Sequence, residues 1–167
     1  VNAVTIGVDP GGRFAGIVAI HRDDTLERAL VLDRRRLELK ALEEWVWHVE
    51  LVVVDLADEL NVATIGIEGV KAPSPHARRR DGNALTNVTG IVDTAAVYGG
   101  VITRFRNVAV TIPPGGHGSH PQAAYPEGIR KGTRGLGGPP EHARSAFDVA
   151  RAARLIARHP RLRSNTA

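Results

Sequence analysis

Asp9 closes an apolar run and is followed at once by Pro10-Gly11-Gly12, in the stretch TIGVDPGGRFAGIVAI. A strand that only fills a core has no use for a carboxylate there. Two further acids stand in similar isolation: Glu68 ends the run IGIEGV, and Asp148 lies in ARSAFDVARAARL. Carboxylates gathered at one point repel, and one takes up a proton unless a cation neutralises them. Hard oxygen ligands select Mg2+ or Mn2+. Two such ions about 3.5–4 Å apart activate a water and stabilise a leaving oxygen in phosphodiester cleavage. Gly11 and Gly12 would let a phosphate chain come close to the backbone. Each acid also has a plainer reading. Asp9 before Pro-Gly-Gly suits a turn, Glu68 before Gly69 suits a solvated strand end, and Asp148 has Arg144 at i−4 and Arg151 at i+3 for surface ion pairs.

For these acids to meet, the elements between them must form a sheet. Residues 4–8, 16–20 and 28–33 read as three opening strands, the first two joined by a Gly-rich turn. Residues 37–60 form a helix, with Leu39, Leu42, Val46, Val49, Val53, Leu56 and Leu60 at spacings of three and four. Residues 63–68 are a short buried strand. A basic loop from Lys71 to Gly82 follows, then a helix over 84–98 stopped by Gly99-Gly100. Residues 108–112 make a strand stopped by Pro113-Pro114. The Gly-, Pro- and His-rich residues 115–140 allow short helices at 122–124 or 127–131, and 141–159 are the last helix. The order βββαβαβα makes a mixed α/β sheet flanked by helices. In such sheets sites gather at the carboxyl ends of strands, so Asp9 and Glu68 become neighbours if their strands are adjacent and parallel.

A chain of 167 residues, 43% of them hydrophobic, suggests one domain with a real core. We take residues 1–160 as that domain and 161–167 as a flexible tail. No stretch approaches the ~20 apolar residues of a membrane span, and no basic-then-apolar leader stands at the N-terminus, so a cytoplasmic location is expected. Met is absent even at position 1, which suggests a trimmed, replaced or alternative start. The absence of Cys excludes disulfides and thiolate metal sites. The net charge of +4 rests mostly on Arg, whose planar fork suits phosphates. Arg78, Arg79 and Arg80 form the sharpest cluster, and with Lys71 and Lys131 are candidate phosphate contacts.

The stretches IGVDPGGRFAGIVAI, IGIEGV, NALTNVTGIVDTAAVYGG and HARSAFDVARAARLIA occur in the order and at about the separations of one known family. Over roughly residues 3–158 the chain resembles the RuvC Holliday-junction resolvases, which are ribonuclease H-like endonucleases. The resemblance implies a Mg2+-dependent endodeoxyribonuclease, with Mn2+ as a substitute, that nicks branched DNA symmetrically as a homodimer. It maps Asp9, Glu68 and Asp148 onto catalytic metal ligands, and the helix over 84–98 onto the subunit junction. The products would carry 5′-phosphate and 3′-hydroxyl ends.

Two departures from the family pattern stand out. The family usually has Asp or His three residues before its last Asp, where this chain has Ser145, a poor Mg2+ ligand. His142 is a possible auxiliary, but it lies six residues before Asp148, about 120° from it on an ideal helix. The family often carries an aromatic wedge after the Glu motif, where this chain reads Val70-Lys71-Ala72-Pro73. Targets broader than four-way junctions, such as flaps and forks, are therefore expected. Ser145 also favours an alternative: a branched-DNA-binding protein of the same fold with weak or silent catalysis. A phosphotransferase of the sugar-kinase and actin type shares the Asp-x-Gly-Gly turn but needs a second lobe. His117 and His120, with no Cys or acid beside them, are a weak zinc signal. Trp45 and Trp47 face differently on their helix, so at most one is core.

Overall fold

A computed structural model of the chain describes residues 3–70 and 88–159. The elements are β1 (Val4–Asp9), β2 (Phe14–Ile20), β3 (Leu26–Asp33), α1 (Leu42–Leu60), β4 (Val62–Glu68), α2 (Val88–Arg104), β5 (Ala109–Ile112) and α3 (Pro140–Arg158). This is the βββαβαβα order expected from the pattern. The sheet runs β3-β2-β1-β4-β5. β1, β2 and β3 pair antiparallel, whereas β4 lies parallel to both β1 and β5.

Side chains alternate across a strand, and both faces here are buried. Val4, Ile6 and Val8 of β1, with Ile65 and Ile67 of β4, face α1 and α2. Trp45, Val49, Val53 and Leu56 meet them from α1, and Val97 and Val101 from α2. The opposite face carries α3. There Val18 and Ile20 pack with Ala143, Ala146, Phe147 and Ala150, and with Tyr125 and Ile129 of the long loop after β5. That loop holds short 3-10 turns at Gln122–Ala124 and Glu127–Ile129. It also covers the outer edge of the sheet, where the Val31 amide donates to the Leu136 carbonyl at 2.6 Å.

Two helix boundaries differ from expectation for identifiable reasons. α1 begins at Leu42 rather than at residue 37, because Arg34 takes the carbonyls of Leu39 (3.0 Å) and Lys40 (2.7 Å), which a longer helix would need itself. Glu38 is left-handed, with φ of 56°. α2 continues through Gly99-Gly100 to Arg104. A Cβ at Gly100 would lie 2.6 Å from the Val46 side chain, so that glycine admits α1 rather than ending α2. Trp45 is fully buried, its indole N–H donating to the Gly11 carbonyl (3.0 Å), while Trp47 is 63% exposed. Among the described residues no helix is long and apolar enough to cross a membrane. Lys71, Arg78, Arg79 and Arg80, the expected helix start at 84–87 and the tail 161–167 lie outside the described residues.

The packing of α3 has a direct test. A Cβ at Gly7 would sit 2.0 Å from the Ala146 carbonyl oxygen and 2.5 Å from the Ala150 amide nitrogen, both backbone atoms that cannot step aside. Gly7→Ala should destabilise by about 1–3 kcal/mol or more, as overpacked cores do. Nothing lies within 4 Å of a Cβ at Gly99 in α2, so Gly99→Ala should stabilise by about 0.5–1 kcal/mol. Urea denaturation of the two variants measures both signs.

Candidate active site

β1 and β4 carry the same short pattern, TIGVD over Thr5–Asp9 and TIGIE over Thr64–Glu68. The strands pair so that the patterns coincide: Thr5 with Thr64, Ile6 with Ile65, Gly7 with Gly66, Val8 with Ile67. Asp9 and Glu68 therefore close two adjacent parallel strands side by side. Alternation puts both acids on the face that bears α3, together with Gly7 and Gly66. In-register pairing of this echo is the signal in the sequence that the spacing of the acids alone does not reveal.

α3 can reach the acids because the central strands offer it no side chains at the crossing. Beside Gly7, Gly16 is the ladder partner of Asp9, and a Cβ there would lie 2.1 Å from the His142 carbonyl oxygen. His142 thus begins the helix directly over Asp9. Its Nδ1 donates to Asp9 Oδ2 at 2.9 Å, with side-chain exposures of 29% and 17%. Its ring lies 5.1 Å from that of Phe14. One turn on, Ser145 Oγ donates to Glu68 Oε2 at 3.0 Å. The other Glu68 oxygen accepts the Gly115 amide at 3.0 Å. Asp9 and Glu68 open into a cleft walled by Val70, Ile91, Thr94 and Pro114.

Asp148 does not join this group. Its carboxylate is 7% exposed, and Oδ2 accepts the Gly118 amide and the Tyr125 hydroxyl, each at 2.8 Å. His120 Nε2 stands 3.9 Å away. Helix geometry is the reason: α3 is regular from Pro140, so with His142 over Asp9, a residue six further on points about 120° away. In this arrangement the Asp148 carboxylate fastens the loop after β5. The surface ion pairs also fail: Arg151 pairs with Asp24 (3.3 Å), and the Arg144 guanidinium lies over the Tyr125 ring, 5.8 Å from its centre. Tyr125 escaped sequence reasoning, since one aromatic in a Gly-Pro loop carries no periodic signal.

The other expected contacts are placed unevenly. Lys131 is exposed on the same loop, its amide donating to Gln122. His117 Nε2 donates to the Pro113 carbonyl at 3.0 Å. Both glycines are also required locally, Gly11 by its own turn and Gly12 by the approach of α2. A Cβ at Gly11 would meet the Phe14 carbonyl oxygen at 2.2 Å, and one at Gly12 the Asp93 Cβ at 2.8 Å.

The donor set suits one hard divalent ion. Mg2+ asks a protein for one or two carboxylates and fills its remaining positions with water and phosphate oxygens, and Asp9 with Glu68 supplies that pair. Ser145, which donates to Glu68, adds no charge to this pair. Among the described residues no three His, Asp or Glu side chains converge as a ready-made metal cage.

A mixed five-stranded sheet of this order, with an acid on each of two central parallel strands, defines a ribonuclease H-like fold. Solved structures share it. The chain aligns with Thermus thermophilus RuvC at a TM-score of 0.58 and 14% identity, covering 94% of this chain and 96% of that one. With T. thermophilus RuvC in complex with a Holliday junction substrate the TM-score is 0.56 and the identity 15%, covering 93% and 95%. No protein-family model and no curated protein matches the chain by sequence.

The loop fastening should show in alkali. Burial, then the hydrogen bond to the Asp148 carboxylate, pushes the Tyr125 hydroxyl up to about 12. An unfolded tyrosine ionises near 10, so the folded chain holds a proton that the unfolded chain has lost. The resulting stabilisation is complete below about pH 10 and fades as the pH rises through about 12. Stability followed by denaturant titration should fall across that window, and Tyr125→Phe should remove this part of the fall.

Proposed function

We propose that the chain is a metal-dependent endonuclease selective for branched DNA, with Holliday junctions, flaps and forks as candidate substrates. The observation that carries this reading is the in-register pair Asp9 and Glu68 beneath His142, in a fold shared along almost its whole length with a resolvase bound to a Holliday junction. Asp9 and Glu68 would hold Mg2+, or Mn2+ in its place. When bound, the ion supplies Lewis-acid activation of a water and of the scissile phosphate.

The protein's own groups do the rest. His142 holds the Asp9 carboxylate in one orientation and is the group placed to move a proton there. Ser145 and the Gly115 amide aim the two oxygens of Glu68. Asp148 and Tyr125 hold the loop that brings Gly115 to Glu68. In-line hydrolysis would leave 5′-phosphate and 3′-hydroxyl ends. Symmetric nicking of a two-fold junction needs two sites facing the same way, which a homodimer through α2 would provide. On α2, Val92 is 54% exposed.

A second reading has one observation in its favour. Ser145 brings no charge to the place where a third acid would complete a two-ion site, which suits a branched-DNA-binding protein with weak or silent catalysis.

Labelled four-way junctions, flaps and linear duplex, each with Mg2+, Mn2+ or EDTA, decide between the two. Metal-dependent nicks should fall at least about 100-fold in Asp9→Asn and Glu68→Gln, and about 10–100-fold in His142→Ala, the range for losing a partner that orients a ligand. Junction binding should persist in all three. Ser145→Asp should increase nicking, because it adds a carboxylate beside Glu68. Binding without nicks in the native chain in either metal, with nicks gained in Ser145→Asp, would establish the silent reading.

A further inference from the structure

At the same end of the sheet as the acid pair lies a run of arginines, Arg34-Arg35-Arg36, after β3. β3 and β2 pair so that Phe14 meets Asp33, and the Arg34 amide donates to the Arg13 carbonyl at 2.9 Å. The run therefore sits next to Arg13, in the turn that leaves Asp9.

Asp33 organises this corner. Its side chain is 7% exposed, and it faces Arg13 Nε at 3.6 Å through Oδ1 and Arg36 Nε at 4.0 Å through Oδ2. The two arginines are themselves 50% and 75% exposed. One buried acid thus steadies two solvent-facing guanidinium groups and leaves the corner net positive. Arg13 is held a second way, with its guanidinium carbon 4.5 Å above the Phe14 ring centre. That ring also stacks against His142, which bonds Asp9. Arg13 is therefore one aromatic ring removed from the candidate catalytic group. A groove continues from Arg13 past Arg36 to Arg134 of the long loop, which is exposed and has no acid partner among the described residues.

We infer that Arg13, Arg36 and Arg134 form a phosphate track that receives a DNA strand entering or leaving the Asp9–Glu68 cleft on the β2–β3 side. Arg13 meets Asp33 through Nε, and Arg36 meets Asp33 through Nε and donates from Nη1 to the Gly137 carbonyl at 3.3 Å. Both Nη groups of Arg13 and Nη2 of Arg36 therefore face outward for phosphate oxygens. Preorganisation by Asp33 and Phe14 reduces the side-chain entropy that such contacts cost. The track reads the backbone and carries no base preference. The inference rests on the proposed branched-DNA reading and deepens it.

The test is the salt dependence of junction binding by the full chain in EDTA, where nicking is silent. Each phosphate contact contributes about 0.9 to the slope of log K against log salt on duplex DNA. Replacing all three arginines with Gln should therefore flatten the slope by about 2.7, and weaken binding equally for junctions of different sequence. Arg36→Gln with Arg134→Gln should flatten it by about 1.8. That pair leaves the buried Asp33 its nearer partner, Arg13. Arg106→Gln, exposed at the opposite end of the sheet before β5, should leave the slope unchanged. If the native chain binds with a salt slope that both combined variants preserve, the phosphate track is wrong and the branched-DNA reading stands. If the native chain does not bind the junction, both fall.

Discussion

The close contact between α3 and the sheet is the constraint on which the site depends. Gly16, Gly7 and Gly66, one on each of β2, β1 and β4, lie under the helix where any Cβ would strike its atoms within 2.1, 2.0 and 2.5 Å. With these side chains missing, the helix rests on strand backbone, and its rotation and height are set together. A helix riding higher on ordinary side chains would carry His142 out of reach of Asp9 and Ser145 out of reach of Glu68. The glycines and the acids alternate on the same strands: Gly7 stands two residues before Asp9, and Gly66 two before Glu68. The period of two that exposes each acid to α3 is the same period that clears the way for it.

The same contact settles the electrostatics of the cleft. Two carboxylates closing adjacent strands repel, and burial makes the repulsion harder to screen. The N-terminus of α3 arrives over Asp9 with the positive end of its dipole and with His142 in its first turn. Glu68 is met by a hydroxyl and a backbone amide. Further along the helix, Asp148 holds the Gly118 amide and Tyr125, and so keeps the loop at the height where Gly115 meets Glu68. Asp148 therefore belongs to the site by holding the loop beside it, even though its carboxylate faces elsewhere.

Much of this was legible in the sequence, and the exceptions follow a rule. The order of elements and the core face of α1 follow from periodicity, which sequence expresses directly, whereas the parallel adjacency of the Asp9 and Glu68 strands entered as a condition that the strand pairing meets. Where one side chain reaches a distant backbone, periodicity is silent. Arg34 delays α1 by capturing carbonyls five and six residues on, and Gly100 admits α1 where a glycine pair suggested a stop. The partner of Asp148 is another such case. Local spacing offered Arg144 and Arg151, yet the groups that bind it come from a loop about 23–30 residues away. The angular relation between His142 and Asp148 was available from helix geometry. What it lacked was the rotation of α3, which only the glycine contacts supply.

Fold and site in this molecule also answer to different kinds of constraint. At 14–15% identity the sheet order and the helix over it are still shared with RuvC. Such persistence needs only strand alternation and small residues at the crossing, and many sequences meet those terms. Chemistry at the acids is less tolerant. Beside Glu68 the chain places a hydroxyl rather than a carboxylate, and Ser145 gives Glu68 a hydrogen bond. Its exchange for an acid would remove that hydrogen bond and set a further carboxylate against Glu68, so position 145 governs the charge of the cleft.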